Sequence, residues 1–269
     1  MKPTKSPLIA LLALLATVLV AVGCGGDDNK DSSGKFTTIN SGKLTVGSDI
    51  PYPPFEFGRS PDYKGFDVDV VKAVAKKLGL EAEFVKTPFD TIFRNLAQGK
   101  FDMVASASTI TAEREKEVDF SDPYFPADQS LMVKQGSDIK TVDDLNGKVV
   151  GAQLGTTGAE YAKDKTEAKS VRTYDLIDDA FKALEAGQVE AVINDCPVSK
   201  YGERAHPDLV VVGSIPTNEL YGFAFPSGSD ALREAFNKEL ATIKDDGTLK
   251  SIQDKWLGAD PCKGLPGAS

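Results

Sequence analysis

Arg114 lies in the stretch SASTITAEREKEVDFSDPY, residues 106–124. Ser106, Ser108, Thr109 and Thr111 precede it, and Glu113, Glu115 and Glu117 surround it. A planar guanidinium delivered by a hydroxyl-rich segment can hold both oxygens of a carboxylate. The same arginine could equally be one charge on a solvated helix face, paired with Glu113 or Glu117. Two other stretches raise a similar choice. LGTTG (154–158) follows an apolar run and opens a helical pattern, so its backbone N–H groups and the helix dipole favour an anion, although a Gly-Thr loop can also be a plain turn. Asp195 ends EAVIND (190–195) just before Cys196-Pro197, where an acid can hold a cation or cap the following helix.

The elements that must position these residues are legible as alternating strands and helices. KLTVG (43–47) reads as a short buried strand, and Pro51, Pro53 and Pro54 force a loop after it. From Phe66, residues Val70, Val71, Val74 and Leu78 recur at helical spacing, and Gly79 closes that helix. Residues 81–86 form a second strand, Ile92, Phe93 and Leu96 mark a short helix ended by Gly99, and 101–105 is an apolar strand. The unit then recurs: Phe93, Leu96, Gly99, Phe101 and Val104 are matched 88 residues later by Phe181, Leu184, Gly187, Val189 and Val192. Val46-Gly47 likewise has a counterpart in Val150-Gly151. Two such matches in order imply two α/β lobes of similar topology, each a mainly parallel sheet flanked by helices. Loops at the carboxyl ends of the strands should then line a cleft between them.

The chain has 269 residues, 41% hydrophobic and 26% charged, enough for one large or two modest domains. Its first 23 residues differ from the rest: Lys2 and Lys5, then an almost unbroken apolar run from Leu8 to Val22, then Gly23. That is the pattern of an export signal, too short for a membrane-spanning helix. Ala21-Val22-Gly23-Cys24 resembles the lipobox of bacterial lipoproteins, which implies lipidation of Cys24; Ala21 departs from the larger aliphatic residue usual there. The polar segment that follows reads as a flexible tether over 24–40. Cleavage would leave 29 bases against 40 acids, and an acidic exported protein is a poor nucleic-acid binder. Cys196 and Cys262 remain, and outside the cytoplasm such a pair can be joined.

Five motifs, VGSDIPYPPFEF (46–57), KGFDVDVVKAVAKKLG (64–79), STITAEREKEVDFSDPY (108–124), GKVVGAQLGTTG (147–158) and YGFAFPSGSD (221–230), resemble the family 3 extracellular solute-binding proteins, the receptors of bacterial ABC importers for polar amino acids. The resemblance runs from about residue 43 to 258. It implies a hinged, two-lobed periplasmic-binding-protein-like fold (type II) that closes on a free amino acid, with lobe 1 over 41–126 and 222–262 and lobe 2 over 127–221. It also implies an exported monomer, lipid-anchored on the outer face of the membrane or in the periplasm, that docks on permease subunits and uses no cofactor.

The resemblance assigns roles as well. Arg114 takes the ligand carboxylate, helped by hydroxyl or backbone groups of Ser106, Ala107, Thr109 and Thr157, with Thr156 a weaker candidate. Asp195 takes the α-ammonium. Tyr52 and Phe89 wall the side chain, and Asp49 and Gln153 face its far end, with Asn194 a weaker neighbour. An acid there and stacking walls suit arginine or lysine, and the amide of Gln153 leaves glutamine open. Enzyme readings find little support: His206, the only histidine, reads as a solvated loop residue, and no zinc spacing, Walker loop, G-x-S-x-G or G-x-G-x-x-G is present. The rival within the same fold is an exported cyclohexadienyl dehydratase, for which Asp49 and Glu56 are the candidate acids.

Overall fold

The computed structural model describes Met1 and residues 36–268. Apart from Met1, the expected signal (1–23), together with Cys24 and the tether up to residue 35, lies outside the described residues. The described chain begins with β1 (Lys43–Ser48), the hairpin strands β2 (Phe57–Arg59) and β3 (Asp62–Lys64), α1 (Phe66–Lys77), β4 (Glu81–Lys86), α2 (Phe89–Ala97), β5 (Met103–Val104) and β6 (Val118–Phe120). It continues through β7 (Phe125–Lys134), β8 (Val149–Gln153), α3 (Thr157–Asp164), β9 (Ser170–Tyr174), α4 (Ile177–Glu185), β10 (Ala191–Asp195) and α5 (Cys196–Gly202). It closes with β11 (Leu209–Tyr221), β12 (Ala224–Pro226), α6 (Asp230–Asp245) and α7 (Thr248–Trp256). Among these helices none is long and apolar enough to cross a membrane.

Two five-stranded sheets form, in the orders β4-β1-β5-β12-β6 and β9-β8-β10-β7-β11. In each, three parallel strands are joined by one strand that runs antiparallel and a fifth antiparallel to that one, so four of the five point the same way. The internal repeat is visible in this arrangement. α2 and α4 are both nine residues long. Gly99 and Gly187, just past them, share a φ of 71°, the left-handed conformation that ends a helix without the penalty a Cβ would carry. Val46 pairs with Met103 in one sheet as Val150 pairs with Ala191 in the other.

β1 is buried from Leu44 to Ser48, as suits a strand with neighbours on both sides and helices above and below. The apolar stripe of α1 turns Phe66, Val70, Val71 and Val74 inward, with Gly79 (φ 72°) closing the helix. Between the two sheets the described chain crosses from β6 to β7 and back from β11 to β12, and the tail beyond α7 returns to β11, where the carbonyl of Pro266 accepts from the N–H of Ser214 at 2.8 Å. Where the strands cross, Phe55 lies edge-on to Phe66, Phe125 and Tyr221 at centroid distances of 5.9, 5.5 and 5.5 Å, and Tyr124 stacks on Phe223 at 4.1 Å. The structure joins Cys196, at the start of α5, to Cys262 beyond α7, with Cα atoms 6.2 Å apart.

Two expectations change. The apolar run at 101–105 is regular strand only at Met103–Val104, although the N–H groups of Asp102 and Ala105 still bond the carbonyls of Thr45 and Gly47 in β1. The Asp102 carboxylate accepts from the N–H groups of Ile39 and Thr45 (2.7 Å each). His206 is buried rather than solvated: its ring lies against Phe181, with Nε2 3.0 Å from Asp178 and Nδ1 3.1 Å from Glu185.

Candidate functional site

The carboxyl ends of β1, β5, β8 and β10 deliver their next residues into one cleft between the lobes. It is lined by Asp49, Tyr52, Phe89, Ser106, Ala107, Thr109 and Arg114 from one side and Gln153, Thr156, Thr157 and Asp195 from the other. All ten residues expected at the site are therefore brought together, with Thr156 beside them. Asp49 and Gln153 hold corresponding positions in the two halves, three residues beyond Val46 and Val150. Across the cleft they meet, Gln153 Nε2 donating to Asp49 Oδ2 at 2.6 Å and to the carbonyl of Asp175 at 2.9 Å.

Arg114 begins a single turn of 3₁₀ helix, Arg114–Lys116, rather than lying on a solvated helix face. Its guanidinium lies over the rings of Phe89 and Phe93, 5.2 and 4.8 Å from their centroids. Nη1 donates to the carbonyl of Thr109 at 2.7 Å and Nη2 to that of Gly155, across the cleft, at 3.2 Å. Among the described residues no carboxylate stands within ion-pair distance of it. Burial pushes its pKa down, partly offset by the charges of Glu160, Asp195 and Glu219. A desolvated cation held on aromatic faces and neutral carbonyls is a strong attractor for an anion.

Asp195 occupies the N-cap position of α5, yet its side chain makes no capping bond. It turns into the cleft instead, accepting from Tyr52 Oη at 2.6 Å and from Gln129 Nε2 at 2.5 Å. Burial, and after it the charge of Glu219, pushes its pKa up to about 6. Burial likewise pushes Asp49 up to about 6, against the lowering effect of the Gln153 bond. The cleft thus places a cation at one end and buried acids at two other points, each short of counter-charge.

The hydroxyls are used differently from expectation. Ser106 Oγ donates to Glu56 Oε1 and accepts from the N–H of Asp49, both at 2.9 Å, so it braces the loop from behind. Thr156 caps α3 by accepting from the N–H of Ala159. Thr109 and Thr157 both direct their hydroxyl protons to Oε2 of Glu219, at 2.6 and 2.8 Å. Ala107 has φ 42°, and its N–H is fixed by Asp67 Oδ2 at 2.8 Å. Tyr52 Oη, whose proton goes to Asp195, also lies 3.0 Å from Asn194 Oδ1. Among the described residues no group of three or more His, Cys, Asp or Glu side chains could hold a metal ion.

This arrangement has a known counterpart. The pattern of the bacterial extracellular solute-binding proteins, family 3, matches residues 44–259. The chain belongs to that family. The L-cystine-binding protein TcyJ of Escherichia coli (strain K12) is 34% identical over 258 residues, covering 94% of this chain and 97% of its own. The ABC transporter glutamine-binding protein GlnH of Bacillus subtilis (strain 168) is 35% identical over 269 residues, covering 95% and 98%. Among solved structures, an ancestral arginine-binding protein bound to glutamine matches with a TM-score of 0.77 at 42% identity, over 81% of this chain and 98% of that one.

Three residues at the cleft escaped the sequence reading. Phe93, taken as helix core, is a platform for Arg114. Gln129, inside the apolar-looking β7, bonds Asp195. Glu219 sits in PTNELY (216–221), a segment left without a reading from the sequence, because nothing in its composition shows that a strand irregularity aims it inward.

Proposed function

We propose that this protein is the substrate-binding receptor of an ABC importer, taking one free polar L-amino acid between its lobes. The observation that carries the reading is the pair formed by Arg114 and Asp195. A guanidinium with no anion and a buried carboxylate with no cation stand in one cleft, and a free amino acid supplies both missing charges. The interlobe bonds Tyr52–Asp195, Asp49–Gln153 and Arg114–Gly155 would be exchanged for bonds to the ligand, so binding and lobe closure are one event.

Ala107 and Thr157 contribute backbone groups, and Tyr52 and Phe89 flank the side chain. Asp49 and Gln153 sit where its end would reach. That acid and amide favour arginine or lysine, then glutamine; a ligand bearing a second carboxylate would face Asp49 unpaired. Export, a lipid anchor at Cys24, a monomeric state and the Cys196–Cys262 bond in the exported protein belong to the same proposal. A dehydratase on this fold has less support. Glu56 stands behind Ser106 rather than on the lining, and Asp49 is engaged by Gln153.

The experiment is a thermal-shift screen of the mature protein against the twenty amino acids, since a ligand that binds only the folded state raises its melting temperature. Arginine, lysine or glutamine should give the largest shift. Glutamate or leucine at the top would mean that the side-chain pocket is misassigned. Turnover of prephenate or arogenate by the same preparation would replace the receptor reading with the enzymatic one.

A further inference from the structure

Glu219 lies on β11, one of the two strands that link the lobes. Its neighbours pair regularly with β7 up to Ile215, opposite Gln129, and then the register slips, so that Glu219 stands opposite Ala127. β11 therefore carries two residues more than its partner over that span, and Asn218 adopts φ 55°, its N–H held by Asp128 Oδ1 at 3.0 Å. Such an irregularity re-aims a side chain, and here it turns a half-buried carboxylate toward the floor of the cleft.

At that floor the carboxylate joins both lobes. Oε2 accepts from Thr109 Oγ1 at 2.6 Å on one side and Thr157 Oγ1 at 2.8 Å on the other, while Oε1 accepts from Gln129 Nε2 at 3.1 Å. The same Gln129 nitrogen donates to Asp195 at 2.5 Å, so one amide separates the two acids. A hydroxyl has a single proton. With that proton given to Glu219, the oxygens of Thr109 and Thr157 can only accept from anything in the cleft, and both residues line it.

We propose that Glu219 is a specificity-determining positioning residue, one that fixes the polarity of these two hydroxyls and thereby selects ligands carrying an α-ammonium. The ammonium is recognised by Asp195 together with Thr109 Oγ1, which Glu219 has made an acceptor. The ligand carboxylate is left to Arg114 and to backbone N–H groups at the start of α3, since neither threonine can donate to it. The effect of Glu219's charge on Asp195 is consistent with a locally negative floor that an ammonium would neutralise. This inference rests on the amino-acid-receptor reading above and adds how the site tells an amino acid from the same acid without its amine.

The test is calorimetric titration of the parent and of Glu219→Gln with two ligand pairs: L-arginine against 5-guanidinopentanoate, and L-glutamine against 5-amino-5-oxopentanoate. Within each pair the second compound lacks only the α-amine. In Glu219→Gln the affinity for the amino acid should fall about tenfold, the size of one hydrogen bond to a charged group, while that for the des-amino compound stays within about twofold. Thr109→Val should show the same selective loss and Thr109→Ser should recover it, which keeps the test open should Glu219→Gln fail to fold. Equal losses for both members of a pair would make Glu219 merely structural, and tighter amino-acid binding would make it a competitor of the ligand; either result overturns the proposal. A parent that binds neither amino acid removes the receptor reading itself, a failure distinct from one confined to the variants.

Discussion

Asp49 and Asp195 are acids whose folded-state pKa is raised, to about 6 in each case and chiefly by burial. Below that pH they take up protons and lose the charge that attracts a cation; above it the charge is present. Binding should therefore be fullest above about pH 7 and weaken as the pH falls through 6, by up to roughly tenfold per pH unit for each acid the ligand needs ionised. The two ligand classes then separate. Arginine or lysine would need both carboxylates, whereas glutamine would need only Asp195, because a protonated Asp49 could still hydrogen-bond an amide. Titrations at pH 7 and pH 5 should show a steeper loss for a cationic ligand than for glutamine, and a flat profile for every ligand would contradict the assignment of these acids. The raised pKa values also mean that, when ionised, these two groups oppose folding, a penalty fully present above about pH 6 and relieved below it. The folded chain binds their protons more readily than the unfolded one, so their contribution to stability grows as the pH drops from 6 toward 4.

At the scale of elements, the loop before α1 shows how little freedom the site's supports have. Gly65 has φ 135°, and a Cβ there would lie 2.1 Å from the carbonyl oxygen of Phe55, a backbone atom that cannot swing aside. The turn places Glu56 beneath Ser106 and Asp67 beneath Ala107, and so fixes the hydroxyl loop from below. Gly65→Ala should cost at least about 2 kcal/mol and lower the melting temperature by several degrees; a variant that melts with the parent would show that the turn can relax. Helices and strands of this kind were legible because their signals are local. The stripe Phe66, Val70, Val71, Val74 and the paired glycines 99 and 187 each carry their own geometry. β7 and β11 were not picked out in the sequence. Their length, their antiparallel pairing and the slip that aims Glu219 arise from contacts between residues some 90 positions apart, as in Ile215 opposite Gln129.

For the whole molecule, the resemblance placed ten residues on one cleft and the folded chain lines one cleft with them, yet their hydroxyl chemistry was not legible. Ser106, Thr109 and Thr157 share a residue type with groups that bind carboxylates. Which way each proton points depends on Glu56 and Glu219, neighbours that only the folded chain supplies. The central claim concerns the charges these neighbours surround: a free amino acid bridges Arg114 in one lobe and Asp195 in the other. Its most direct test is calorimetric titration of the mature protein and of Arg114→Ala with L-arginine and L-glutamine. The parent should bind at least one of them in a one-to-one complex. Arg114→Ala should lose that binding by more than about a hundredfold, since removing one side of a buried charge pair commonly costs about 3–5 kcal/mol. A variant within tenfold of the parent, or a parent that binds neither, would contradict the account.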